Sequence, residues 1–86
     1  MANSGTNDAR ELEIDAIRVI MSSEGGRGFL NRLLQETGLD RSSFDNDPIT
    51  HARNAGQRSV GVWLRDELIE ADLDLYLRMI KEYHDE

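Results

Sequence analysis

Eighty-six residues make one small domain, near the size at which a single core needs reinforcement, and the lack of any Cys excludes disulfides, thiolate nucleophiles and Cys-based zinc sites. A formal net charge of −7 argues against direct nucleic-acid binding, which depends on cationic neutralisation of phosphates. No apolar run approaches the roughly 20 residues of a membrane helix, and the opening MANSGTNDAR lacks the basic and apolar regions of a signal peptide, so no membrane partner is expected.

The elements, taken in order, predict helices and no strand. Residues 1–7 read as a flexible tail, with 8–86 as a single helical domain. Thr6 or Asn7 can cap a first helix at about 8–22, whose stripe is Ile14, Ile17 and Met21. Ser22 or Ser23 caps a second helix through EGGRGFLNRLLQET, with Phe29, Leu30, Leu33 and Leu34 as its apolar face. Gly38 suits the position just past its end, and Leu39 beyond can touch Leu34. A polar loop, DRSSFDND, follows, with Phe44 expected to plug onto the core.

Asp47 and Pro48 form an N-cap and first-turn pair that opens a third helix through about Leu68. A fourth, acidic helix over about 72–85 is either separated by a bend near Ala71–Asp72 or fused to the third. The fold class is therefore all-α, a small compact bundle of three to four helices. Charge is uneven along it: −3 over residues 1–40, +2 over 41–65 and −6 over 66–86.

At about 100° per residue, Ile49, Ala52, Gly56, Val60, Trp63 and Leu64 share one face of the third helix, which is expected to face the core. With Phe29, Leu33 and Leu34 they make the candidate core. Gly61 falls outside that face, on a flank with His51, Asn54, Arg58 and Arg65, where it is either a notch for a partner or an idle surface glycine. On the fourth helix Leu73, Tyr76, Leu77 and Ile80 make one stripe while Leu75 and Met79 lie elsewhere, so either both sides are buried within the bundle or Leu75 and Met79 serve partner binding or self-association. The candidate contact set is thus His51, Asn54, Arg58, Gly61, Arg65, Leu75 and Met79.

Catalytic and cofactor chemistry finds little footing. Asp47 and His51 stand at i, i+4, but a third metal ligand is not evident and a capping Asp explains the pair. DRSSFDNDP lacks the central Gly and terminal Glu of a calcium loop. SEGGRGFL places glycines at a helix start, yet no strand precedes it and the P-loop Lys is missing. Nothing resembles a nucleophile elbow. A helix-turn-helix needs a turn of 3–4 residues, about half the length of the loop between helices two and three. No cofactor and no metal are expected, and the module reads as non-enzymatic.

SEGGRGFLNRLL, followed by SSFDNDPITHARNAGQRSVGVWL, resembles a family of small tailed-bacteriophage proteins typed on a Bordetella phage protein. Gly26-Arg27 opening one helix and Gly56-Gln57-Arg58 within the next carry the resemblance, which covers about residues 20–70. It implies a helical domain encoded by a phage or prophage, with other phage structural or assembly proteins as partners and the host cytoplasm or the virion as its place. It implies no catalytic residues. The concentration of five acids in DELIEADLD keeps a second expectation open, an acidic mimic that inhibits a host nucleic-acid enzyme.

Overall fold

The computed structural model describes residues 2–39 and 46–84, with side chains described from residue 8. Four helices follow one another: α1 (Ala2–Met21), α2 (Glu24–Glu36), α3 (Pro48–Ala71) and α4 (Leu73–His84). Each touches the other three, giving the expected all-α bundle. Phe44 lies outside the described residues.

Local chemistry sets the boundaries. Ser23, in extended backbone, accepts from the Gly26 N–H at 3.0 Å and starts α2. Thr37 ends it, and Gly38 takes φ 72° while its N–H donates to the Gln35 carbonyl at 3.0 Å. Asp47 accepts from both the N–H and the hydroxyl of Thr50, with Pro48 in the first turn of α3. Asp72 breaks the long helix by going extended (φ −165°, ψ 99°), and its carboxylate accepts from the Leu75 N–H at 3.0 Å to start α4. The bend near Ala71–Asp72, rather than fusion, is what forms. α1 begins at Ala2, not at about residue 8: no proline interrupts residues 2–21, and the backbone runs helically through Thr6 and Asn7.

The core is small. Met21, Leu30, Leu34, Leu39, Leu68, Ala71 and Met79 are buried, with Ile14, Ile17, Val62, Leu64, Leu75, Tyr76, Ile80 and Tyr83 packed against them. Charged side chains lock the helices together at its edges. Arg10 on α1 reaches Glu67 and Glu70 on α3 at 2.7–2.8 Å and also pairs with Glu13. Arg18 donates to the Ala71 carbonyl at 2.7 Å, closing α1 onto the end of α3.

Several expected core residues lie outside. Phe29, Leu33, Val60 and Trp63 are exposed, and so is Gly56, at which an added Cβ would meet nothing within 4 Å. Conversely Gly61, Leu75 and Met79, expected on contact surfaces, face inward. For Gly56, Val60, Trp63 and Gly61 the cause is the phase of α3, while on α2 the buried line is Arg27, Leu30 and Leu34, which leaves Phe29 and Leu33 to one side. The buried line of α3 is Gly61, Leu64, Leu68 and Ala71, at steps of three, four and three, and the line through Gly56 and Trp63 continues into Glu67 and Glu70, which Arg10 holds at the bundle's edge. Leu34 and Leu64 keep their expected places in the core.

Candidate functional site

The unusual feature is the first half of α3. No residue from Pro48 to Val60 is buried. On this stretch and the turn beyond, Ile49, Val60 and Trp63 are 71%, 54% and 60% exposed, aligned with exposed Ala52 and Gly56. The stripe read from the sequence as a core face is therefore a real apolar stripe that the described residues leave exposed. The segment is also the most cationic stretch of an acidic protein: residues 48–65 hold Arg53, Arg58 and Arg65 and no Asp or Glu. An apolar line with an aromatic side chain and the Arg53 guanidinium beside it suits contact with protein surface, where aromatic and Arg side chains dominate binding.

The candidate contact residues separate into two groups. His51 and Arg58 are exposed on this half of α3 and Asn54 is half-buried there. Gly61, on the same flank, is buried: a Cβ on it would collide with the Thr37 hydroxyl and lie 2.9 Å from Thr37 Cβ and 3.2 Å from Leu39 Cβ. Its missing side chain admits the end of α2, not a partner. Arg65 is half-buried, 3.4 Å from Asp66, at the rim of a groove of about 510 Å³ between α2 and α4 that is floored by Leu34, Ile80 and Tyr83. Leu75 and Met79 belong to the core, whereas Leu73 and Leu77 of the same helix are exposed. On α4 Leu75 and Met79 thus lie inward, against their candidacy as contact residues, while Tyr76 and Ile80 of the other stripe pack against the same core.

Arg27 is the most consequential residue that sequence reasoning passed over. It is almost completely buried, donates to both carboxylate oxygens of Glu82 (2.7 and 3.1 Å), and donates through Nη1 to the Met21 carbonyl at 3.0 Å. One guanidinium thereby ties the end of α1 and the end of α4 to α2, in the fork geometry that a carboxylate favours. The Arg27 hydrogen bonds hold Glu82 below the usual carboxylate range, and those from Arg10 do the same for Glu67. Asp47 is lowered by the Thr50 hydroxyl. The neighbouring Gly26 lets α2 start against the Ile20 carbonyl, which an added Cβ would strike. The Gly26-Arg27 pair is thus explained by the fold, while Gly56-Gln57-Arg58 lies on the exposed half of α3 and no packing among the described residues explains it.

The acidic segment is largely occupied. Of the five acids in residues 66–74, Asp66 contacts Arg65, Glu67 and Glu70 hold Arg10, and Asp72 caps α4. Among the described residues no three His, Asp or Glu side chains converge as a metal site, and no helix is long and apolar enough to cross a membrane.

The family model described as Bbp19-like phage protein matches residues 17–81, most of the chain, and the protein belongs to that family. The match takes in α4, which the motif-based resemblance over about 20–70 did not reach. No curated protein and no solved structure matches the chain significantly.

Proposed function

We propose that this phage protein is a non-enzymatic accessory factor, associated with the virion or its assembly, that acts through protein–protein contacts made by the first half of α3. The single observation that carries this reading is the exposed line of Ile49, Val60 and Trp63 beside Arg53, on a half-helix in which none of residues 48–60 is buried among the described residues. Exposed apolar surface of this kind marks interaction sites, and the residues gathered here are apolar and cationic rather than an acid–base pair. Its partners are other phage structural or assembly proteins, met in the host cytoplasm, with retention in the particle for a virion component. The alternative, mimicry of nucleic acid by the acidic segment, is disfavoured by Glu67, which is turned to Arg10, and Asp72, which caps α4, since a mimic needs its carboxylates facing outward.

Mass spectrometry of purified particles and assembly intermediates tests the reading. The protein at fixed copy number, depleted when Trp63→Asp is introduced into a chain that still folds, is the expected result. Absence from both, together with recovery of a host nuclease on the purified protein, would replace it with inhibition.

A further inference from the structure

We propose that the α3 stripe recognises a second copy of the same chain, two α3 helices pairing antiparallel about a two-fold axis that passes at Gly56. The inference rests on the reading of this stripe as a contact surface and names its first occupant.

A two-fold interface must be self-complementary: if residue i of one copy meets j of the other, then j meets i. In an antiparallel helix pair, facing residues have a constant sum of positions. The stripe lies at 49, 52, 56, 60 and 63, with steps of three, four, four and three, and is a palindrome about Gly56. Ile49 then faces Trp63 of the second copy, Ala52 faces Val60, and Gly56 faces Gly56. Each bulky residue meets a bulky one at the ends and the smallest meet in the middle. Two helices crossing there approach closely at the axis, because an added Cβ at Gly56 has nothing within 4 Å in the single chain, and the larger side chains fill the space as the helices diverge.

Electrostatics selects both the surface and the direction. The chain's −7 comprises +3 in residues 48–65 and −10 outside them, so pairing through this segment keeps the acidic remainder of each copy out of the contact. A parallel pair would also set each residue against itself, but it would hold the two acidic bodies side by side. Antiparallel pairing sends them to opposite ends and aligns the helix dipoles favourably. Pairing two stripes with their flanks buries on the order of 1,000 Å², the lower edge of specific interfaces, so the dimer is reversible and concentration-dependent.

The chain has no Cys, so single-cysteine variants report the geometry directly. Sedimentation of the wild type should show mass doubling as concentration rises, and Gly56→Glu, with helix content unchanged by circular dichroism, should remain a monomer. Under mild oxidation Gly56→Cys should give a covalent dimer, since facing residues at a close crossing come within the Cα separation of about 4.4–6.8 Å that a disulfide spans. Arg58→Cys, on the opposite side of the helix, should not. Ala52→Cys mixed with Val60→Cys should give mixed dimers in excess of either self-linked one. A wild type monomeric throughout, Gly56→Cys linking no better than Arg58→Cys, or Ala52→Cys linking chiefly to itself would each overturn the pairing. If the wild type stays monomeric while Trp63→Asp still depletes the protein from particles, the stripe is a contact surface for another protein and only the self-pairing falls. If dimers form and Trp63→Asp leaves particle content unchanged, the pairing stands and the accessory role falls.

Discussion

Replacing Gly61 by Ala isolates the close approach on which the α2–α3 packing depends. At an exposed helix position the change would stabilise by about 1 kcal/mol through helix propensity. Here the new methyl lands on Thr37, whose hydroxyl donates to the Leu34 carbonyl at 2.6 Å in a buried position, and comes within 3.2 Å of Leu39 Cβ. Neither neighbour is the far end of a flexible chain: Thr37 is the branched C-cap of α2, and Leu39 is buried in the core. Forcing a methyl into such a contact costs about 1–3 kcal/mol. Losing the hydroxyl's hydrogen bond costs about 0.5–1.5 kcal/mol more. Packing therefore outweighs propensity, and the expected net effect is a loss of about 2 kcal/mol, which lowers the Tm of a domain this size by about 8–16 °C.

Urea and thermal unfolding followed by circular dichroism, at concentrations too low for self-association, give the measurement. Gly56→Ala serves as the control, because it makes the same propensity change where an added Cβ meets nothing. It should stabilise by about 0.5–1 kcal/mol. Thr37→Gly, which removes the obstructing atoms, should make Gly61→Ala far less damaging than it is alone, a coupling expected only of groups in contact. A Gly61→Ala variant as stable as Gly56→Ala would refute the packing and restore the flank as open surface.

Three further outcomes follow from the same geometry. Trp63→Ala should cost no more than about 1 kcal/mol rather than the 3–5 of a core aromatic, with native Trp emission already close to that of a solvated indole; a blue-shifted spectrum in the monomer would contradict the exposure. Met79→Glu should unfold the chain, since Met79 is fully buried and the carboxylate would have no partner, whereas Leu77→Glu on the exposed side of α4 should fold normally. Glu82→Gln should lower the Tm at neutral pH by removing the charge that Arg27 faces. Because Glu82 titrates below its ordinary value of 4.5 in the folded state, its contribution is complete above that value and lost as pH falls through the folded pKa, so wild type and variant should converge in acid. A Tm difference that persists unchanged in acid would remove Glu82 ionisation as its source.

The punctuation of the chain was legible because caps are local chemistry. Ser23, Gly38, Asp47 with Pro48, and the break at Asp72 each act through a hydrogen bond or dihedral within a few residues, and each stands where the sequence indicates. The α1 stripe of Ile14, Ile17 and Met21 was legible for the same reason: one helix, one apolar line. The Arg27–Glu82 link was not, since it joins residues 55 apart and nothing in the local pattern distinguishes a buried Arg from a solvated one. Tertiary pairing chooses the partner.

The misassignment of α3 has a sharper cause, and it bears on the function. A helix wheel ranks faces by how apolar they are, assuming that the most apolar face is the one the chain buries. In α3 two lines compete: Ile49, Ala52, Gly56, Val60 and Trp63 in the first half, and Gly61, Leu64, Leu68 and Ala71 in the second. The first carries the Trp and is longer, so it wins the ranking. Two residues mark it as external all the same. Glu67 and Glu70 continue that line, and a core face would not run into two carboxylates, whereas the second line runs into the apolar Ala71 and the turn at Asp72. A line that is apolar for four turns and then acidic cannot be one continuous buried face; it must leave the core where the acids begin. The switch of face within α3, with Arg10 pinned at the changeover, is what leaves the apolar line of Ile49, Val60 and Trp63 exposed.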